Sequence, residues 1–335
     1  MSVRVRFAPA PTGSLHLGNA LGAAANRSFG DHLLLRIDDT DAARNVPGGE
    51  EAIVRDLDWL GIGWDEGPVR QSERQERYGE AAAALGVERF DGVQLLRPDG
   101  TATYHLASVV DDADFGITHV VRGNDHRPNE ALHRRLAEAL GAPPPEYVHF
   151  GLLLGPDGKK LSKRHGAETV AELRDAGFPA AAVRAYLDEL GLPKHDVHFD
   201  QRRLRRLAID AIAAMPDAEL AAEADAPLEL VPALRGARDL VEARAFARAI
   251  IDPAPAELPE DAAPTLARFV ELRAGANGAL APDGAKALVR ELKAVGGDLH
   301  VLRLALTGRD RGPELWTVVA ALPRDEALRR AGATP

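Results

Sequence analysis

Apolar residues in the N-terminal half of the chain alternate between short strand-like runs and stretches with helical spacing. VRVRFA at 3–8, HLLLRI at 32–37 and THVVRG at 118–123 are rich in large or β-branched apolar residues, which is typical of buried strands. Between such runs the apolar spacing is helical, as in EEAIVRDLDWLG, where Ile53 and Leu57 share one helix face. The alternation predicts an α/β fold with a parallel sheet.

Glycine and proline residues mark the ends of further predicted helices and strands. The first two strands enclose a small-residue helix that ends at Gly30, which predicts a βαβ unit. A helix is predicted from Ser72 to Leu85, a hairpin around Pro98-Asp99-Gly100 and a strand at 147–154. This pattern extends the predicted sheet to about residue 154.

The residue composition and the spacing of apolar residues change at about Glu168 and stay changed to the end of the chain. Ala, Leu, Arg and Glu dominate there, and apolar residues recur at helical spacing with few β-branched runs. This part is predicted to be all-helical. Pro253, Pro255 and Pro259 in DPAPAELPED predict a linker that divides it into two helical subdomains.

Composition narrows the class of protein. A chain of 335 residues, 45% of them hydrophobic, is long enough for two or three domains with real cores. The net charge of −10 argues against a surface that binds nucleic acid everywhere, although a local basic stripe can still bind phosphates. The absence of cysteine removes disulfides and thiolate ligands, so no zinc is expected. Without a long apolar run or a signal peptide core, a cytoplasmic protein with no membrane partner is expected.

Two segments have the chemistry of phosphate binding. HLGN at 16–19 opens a predicted helix at the carboxyl end of the first strand, where free backbone N–H groups and the positive end of the helix dipole attract anions. GPDGKKLSKRHG at 155–166 surrounds Ser162 with cationic side chains that can follow charge building on a leaving pyrophosphate. Each signal is weak alone, but both lie at opposite ends of one α/β unit.

Together these segments resemble a known family. HLGN and KLSKR resemble the two signature motifs of class I aminoacyl-tRNA synthetases. Successive blocks over residues 4–195 are similar to glutamyl-tRNA synthetases, namely APAPTGSLHLGNA, RIDDTDAAR, WLGIGWDEGP, QSERQERY, DGTATYHLASVVDD, GITHVVRGNDH and GPDGKKLSKRHGA. Residues 302–330 resemble the closing helices of the bacterial anticodon-binding region, whereas residues 200–300 match only loosely.

The resemblance implies a domain plan and a reaction. It implies a Rossmann-like catalytic domain over residues 1–155, a KLSKR loop with stem-contact-like helices over 156–200, and an anticodon-binding-like region over 201–335. The implied reaction activates glutamate with ATP, supplied as its Mg²⁺ complex, to a glutamyl-adenylate. The aminoacyl group then passes to tRNA.

The resemblance also assigns roles residue by residue. It implies catalytic roles for His16, Lys160 and Lys163. It implies ATP binding by Pro11, Thr12, His16, Gly18, Asn19, Leu161, Ser162, Lys163 and Arg164. It implies amino-acid binding by Arg6, Ala8, Ala10, Asp38, Tyr104, Ser108 and Arg122, with the fork of Arg6 facing the side-chain carboxylate of the substrate.

Several positions depart from the family pattern. Ala10 stands where the family has serine, Asp38 where it has glutamate, Ser108 where it has asparagine, and Asn124 where it has an acid. The segment 79–100 is too short for the acceptor-end domain that family members insert there, which puts tRNA transfer in doubt. Three alternatives therefore stay open: a glutamyl-queuosine tRNA type, a ligase with a small-molecule acceptor, and a non-catalytic amino-acid or nucleotide binder.

Two other groups of residues invite a functional reading. His126 and His133 with Asp125 suggest a metal site, but no third ligand recurs at metal spacing, so packing is the preferred interpretation. Asp111-Asp112 is interpreted as the start of a helix.

Overall fold

A parallel sheet forms the centre of the N-terminal half. The computed structural model describes residues 2–159, 161, 169–276 and 280–332. Three strands pair in parallel, in the order β1 (Arg4–Phe7), β2 (His32–Ile37) and β3 (Glu66–Arg70), and Arg6 is paired with Leu34. A second parallel pair comprises β6 (His119–Gly123) and β7 (Glu146–Phe150).

The three-stranded group and the β6–β7 pair meet at β1. The backbone N–H of Thr118, just before β6, donates to Arg4 O at 3.0 Å, so β6 lies beside β1. The strand order is therefore β3-β2-β1-β6-β7, and its direction of progression reverses between β1 and β6. In such sheets ligands bind outside the carboxyl ends of the strands at the reversal point. The predicted Rossmann-like α/β fold is confirmed.

Helices connect the strands of this half. They are α1 (Leu17–Phe29), α2 (Gly49–Trp59), α3 (Gln75–Leu85), α4 (Tyr104–Asp114), α5 (Glu130–Ala139), α6 (Val170–Asp175) and α7 (Ala180–Leu190). The helix predicted to end at Gly30 does so, but the glycine has an extended backbone with φ −99°. It is needed for close approach, because an added Cβ would lie 2.3 Å from Val5 Cγ2.

The short segment before α4 contains a hairpin that the sequence did not reveal. It comprises β4 (Arg89–Phe90) and β5 (Val93–Gln94), which pair antiparallel. Leu95 follows it and is buried against Tyr78 of α3 and Leu106 of α4. The segment thus closes on a hydrophobic cluster of its own.

One predicted strand is divided in two. The predicted strand 147–154 is interrupted after β7 at Gly151, where the backbone of His195 passes so close that an added Cβ would lie 1.9 Å from its carbonyl oxygen. The remaining piece, β8 (Leu153–Leu154), pairs in parallel with β9 (Val197–His198). The prediction of an all-helical chain after Glu168 is wrong at β9.

The chain divides into two compact units, one of residues 1–175 and 183–204 and one of residues 176–182 and 205–335. From residue 201 onwards the described helices are α8 (Gln201–Ala214), α9 (Asp217–Glu223), α10 (Val231–Leu234), α11 (Leu240–Ile251), α12 (Ala262–Ala274), α13 (Pro282–Ala294), α14 (Leu299–Thr307), α15 (Leu315–Ala321) and α16 (Arg324–Arg330). Two apolar clusters fill the second unit, one centred on Phe269 and Leu302, the other on Leu220 and Leu234. The domain boundaries inferred from the sequence stay predictions.

Across the described part of the chain, no helix combines the length and the apolar character that crossing a bilayer requires.

Candidate active site

A cavity of about 830 Å³ opens where the strand order reverses. Its walls come from the ends of β1 and β6, the loop after β2, the start of α1 and the first turn of α4. This size is that of a pocket for small-molecule ligands. The lining residues named by the sequence are Arg6, Ala8, Ala10, Thr12, His16, Gly18, Asn19, Asp38, Tyr104, Arg122 and Leu161.

The first motif lies at one end of the cavity. Residues 8–15 form an extended loop, and His16 is the N-cap residue of α1, so the free N–H groups of the first helical turn face the ligand space. An added Cβ at Gly18 would meet no atom within 4 Å, so this position is open to an approaching ligand. Pro11 was expected among the ATP-binding residues but does not line the cavity.

The second motif is described only in part. Leu161 lines the cavity, and its N–H donates to Leu153 O at 3.2 Å. Lys160, Ser162, Lys163 and Arg164 lie outside the described residues, so their roles stay predictions.

A network of ion pairs lies beside the cavity and is centred on Arg36. Arg36 is 1% exposed; its Nε lies 2.6 Å from Asp38 Oδ1 and its Nη1 lies 2.9 Å from Asp112 Oδ1. Arg6 Nε donates to the same Asp112 oxygen at 3.1 Å. Burial alone lowers the pKa of Arg36, but the carboxylates of Asp38, Asp112 and Asp111 outweigh it and raise the pKa well above its ordinary value. Arg36 is therefore a permanent cation shared by several carboxylates.

The two aspartates at the end of α4 belong to this network. Asp111 accepts from Tyr78 Oη at 2.9 Å, from Gln71 Nε2 at 2.8 Å and from Arg74 Nε at 2.8 Å. Asp111 and Asp112 lie in the last turns of α4 and are buried. The interpretation of this pair as a helix start is wrong, because ion pairs with distant arginines, and not capping, account for the two carboxylates.

Arg122 differs from Arg6 and Arg36 because none of the described carboxylates forms an ion pair with it. It is 7% exposed and lines the cavity, and its Nη2 is buried without a hydrogen-bond partner. Its side-chain hydrogen bonds are long, 3.4 Å from Nε to His149 Nε2 and 3.5 Å from Nη1 to Tyr104 Oη. Burial lowers its pKa. A buried cation without an anion costs free energy, so the site is incomplete without a negatively charged ligand.

Two imidazoles next to Arg122 were missed as a pair by the sequence. His105, in the first turn of α4, lines the cavity, and its Nδ1 lies 3.0 Å from Nε2 of the buried His133 on α5. Burial, with the nearby Arg122, lowers the pKa of both, that of His133 to about 3. Both rings are neutral at pH 7, and one donates to the other. No group of three metal-ligating side chains occurs among the residues with described positions.

The His133 burial predicts a pH-dependent stability. The unfolded imidazole titrates near pH 6.5, so between pH 6.5 and about pH 3 the unfolded chain binds a proton that the folded chain does not. The stability that the buried neutral imidazole of His133 contributes is fully present above pH 6.5 and is lost as the pH falls toward 3. We expect His133 to lower the free energy of unfolding by about 1–2 kcal/mol between pH 7 and pH 5. Urea denaturation of His133→Gln should show a shallower loss, while the exposed His195→Gln should follow the unsubstituted protein.

The four departures from the family pattern have different surroundings. Ala10 lines the cavity, and Asp38 lines it while both of its oxygens accept from Arg36, so the shortened carboxylate is anchored. Burial raises the pKa of Asp38, although Arg36 opposes the rise. Ser108 does not line the cavity; its Oγ is buried without a partner. Asn124 donates to Asp196 Oδ1 at 2.9 Å and so faces the segment before β9.

Comparison with known proteins places this site in context. Residues 2–89 and 87–204 match the family model described as tRNA synthetases class I (E and Q), catalytic domain. The chain is 36% identical to glutamate–tRNA ligase 1 of Rubrobacter xylanophilus, over 98% of this chain and 97% of that protein. It is 31% identical to glutamate–tRNA ligase of Bordetella petrii, over 99% and 98% respectively. The crystal structure of a glutamate tRNA ligase from Elizabethkingia meningosepticum has the same fold, with TM-score 0.78 and 22% identity over 99% of this chain and 98% of that one.

The alignment with the Rubrobacter protein also measures what this chain lacks. It extends over 417 positions, whereas the chain has 335 residues, so at least 82 aligned positions have no counterpart here. That relative therefore contains residues that are missing from this chain.

Proposed function

This chain belongs to the family of class I tRNA synthetases for glutamate and glutamine, and on that premise we propose that it is a glutamate–tRNA ligase. It activates glutamate with ATP to glutamyl-adenylate and transfers the glutamyl group to tRNA. In the first step an oxygen of the substrate α-carboxylate bonds to the α-phosphorus of ATP, and pyrophosphate leaves. In the second a hydroxyl of the acceptor attacks the carbonyl carbon, and AMP leaves.

The uncompensated charge of Arg122 carries the choice of glutamate. Its buried Nη2 has no partner, and Arg6 and Tyr104 line the same cavity. A side-chain carboxylate would supply the missing anion and accept from the guanidinium and the phenol. Glutamine brings no charge and would leave the buried cation uncompensated. The pocket therefore favours the acid over its amide.

The remaining cavity residues suit the common part of an amino acid and ATP. We assign Asp38, anchored by Arg36, to the α-ammonium group, because an anchored carboxylate at the cavity wall is its natural partner. Ala8 and Ala10 leave space along the first loop. We assign Thr12, His16, Gly18, Asn19 and Leu161 to ATP, with His16 and the N-terminus of α1 nearest the phosphates.

The proposed metal use follows from the substrate. ATP enters as its Mg²⁺ complex, and the ion neutralises phosphate charge during the transfer. We propose that the protein uses no zinc, since the chain has no cysteine to supply thiolate ligands. Lys160 and Lys163, outside the described residues, are assigned to the leaving pyrophosphate on the motif alone.

A second candidate function rests on the missing residues. Only residues 79–100 separate Tyr78 from Thr101, and they contain the hairpin of β4 and β5, with Leu95 in the apolar cluster that α3 and α4 form. Everything that lines the activation cavity lies outside β4 and β5. An adenylate-forming ligase whose acceptor is a small molecule, or a particular tRNA such as the queuosine-modified type, is the alternative.

Glutamate-dependent exchange of pyrophosphate into ATP, measured with and without tRNA, tests the proposal. We expect exchange with glutamate and at least about a hundredfold lower kcat/KM with glutamine and aspartate, because a site built for one carboxylate position rejects ligands that leave its polar groups unpaired. Charging of total tRNA with labelled glutamate completes the test.

The outcomes separate the candidates. Exchange together with tRNA charging supports the ligase. Exchange without charging of any tRNA favours the alternative acceptor. Failure of every amino acid to support exchange, with tRNA present or absent, would refute an activating enzyme and leave a binding protein.

A further inference from the structure

Asp56, on the buried side of α2, contacts Ser14 and Leu15 just before α1 and Arg174 of α6. We infer that Asp56 is a positioning residue for the ATP site: it holds Ser14–His16 in place and, through Ser14, joins them to Thr169–Ala171. This role rests on the proposed adenylate formation. None of the motif blocks indicates it, because the contacts link three separate parts of the chain.

The carboxylate of Asp56 is fully engaged. It is 1% exposed, and its Oδ2 accepts from Ser14 Oγ at 2.6 Å and from the backbone N–H of Leu15 at 2.8 Å. Its Oδ1 lies 3.4 Å from Arg174 Nη1. A buried carboxylate costs free energy unless donors surround it, and an apolar residue would pack on α2 without that cost. The loop that leads into α1 therefore depends on this side chain.

Ser14 carries the connection onward to the residues after the second motif. Its Oγ accepts from the backbone N–H of Ala171 at 3.1 Å, and the N–H of Val170 donates to Leu15 O at 2.9 Å. His16 and Thr169 form an antiparallel bridge. The residues immediately before α1 and those at the start of α6 are thus joined, although they are 157 positions apart.

The position of this junction gives it a functional consequence. His16 is both the end of the junction and the N-cap of α1, whose first turn faces the cavity. A shift of about 1 Å at such a site can lower a rate by on the order of a hundredfold. Loss of the Asp56 hydrogen bonds frees the backbone at Leu15, one residue before His16. The expected defect is in the rate of the chemical step, since Asp56 does not line the cavity.

Substitution with a pyrophosphate-exchange readout tests the role. We expect Asp56→Ala to lower kcat by about thirtyfold to a hundredfold while KM for glutamate stays within about twofold. Asp56→Asn keeps an oxygen that accepts from Ser14 and Leu15, so it should restore most of the rate. Asp58→Ala removes an exposed carboxylate from the same helix and should match the unsubstituted enzyme. Equal loss in the Ala and Asn variants, or a rise in KM for glutamate alone, would overturn the inference.

Hydrogen exchange supplies a readout that does not depend on activity. Peptides covering residues 14–17 and 169–174 should lose protection together in Asp56→Ala and in the milder Ser14→Ala, and keep it in Asp58→Ala. Loss of protection in the first peptide alone would contradict the junction. If the unsubstituted protein supports no pyrophosphate exchange, the proposed function fails. The hydrogen-exchange result still decides whether Asp56 joins the two segments.

Discussion

Replacing Arg122 with leucine should lower kcat/KM for glutamate by about a thousandfold, because truncating one partner of a buried charge pair costs several kcal/mol of binding. The same change should leave the free energy of unfolding unchanged or raise it. In the ligand-free protein the guanidinium is buried with an unpaired Nη2, so its removal relieves a desolvation cost. Loss of function without loss of stability is the signature of a residue kept for its ligand.

Pyrophosphate exchange and urea denaturation on the same preparations measure the two effects. Arg134→Leu is the matched control, since Arg134 lies over the same Tyr147 ring, at 4.8 Å against 4.9 Å for Arg122, but does not line the cavity. Arg122→Lys keeps the charge without the planar fork, so its kcat/KM for glutamate should lie between those of Arg122→Leu and the unsubstituted protein. A clear fall in stability of Arg122→Leu with glutamate turnover intact would show that Arg122 is structural.

Replacing Arg36 with methionine should lower the free energy of unfolding by about 3–5 kcal/mol, the opposite pattern to Arg122. The change leaves the buried Asp112 and the largely buried Asp38, whose side chain is 12% exposed, without their main cation. Arg6 alone then remains beside Asp112. The destabilisation should shrink as the pH falls, because burial raises the pKa of Asp38, and protonation of that carboxyl group removes part of the uncompensated charge.

Urea denaturation at several pH values measures this effect. Arg70→Met is the control: Arg70 also pairs with two carboxylates, Glu50 and Glu73, but its side chain is 43% exposed. Exposed pairs contribute about 0–1 kcal/mol, so Arg70→Met should cost no more than that. Equal costs for the two substitutions would mean that burial of the Arg36 network adds nothing.

Local patterns were enough for much of the framework. Apolar runs located β1, β2 and β6, and helical spacing located α2, because these elements depend on neighbouring residues and on a sheet that buries both faces. The matched motifs also brought Arg6, Tyr104 and Arg122 to one cavity. Their common edge follows from parallel strands, whose carboxyl ends meet at the reversal of strand order.

Very short strands and contacts between elements could not be predicted from the sequence. The two-residue strands β4, β5 and β9 have too few positions for a period to register. Gly30 was expected for its backbone freedom and is required by the closeness of Val5, a fact of packing between elements.

The sequence by itself determined the fold class, the family and part of the cavity lining, because motif and periodicity are local properties of the chain; it did not indicate that His105 lines the cavity. Only the tertiary structure decided which of those charges are paired. Arg6 meets Asp112 across 106 positions, Asp56 meets Leu15 across 41, and Arg122 meets no carboxylate in the described part of the chain. Such pairings depend on strand order and helix packing. They distinguish Arg36, which pairs with Asp38 and Asp112, from Arg122, to which we assign the carboxylate of the substrate.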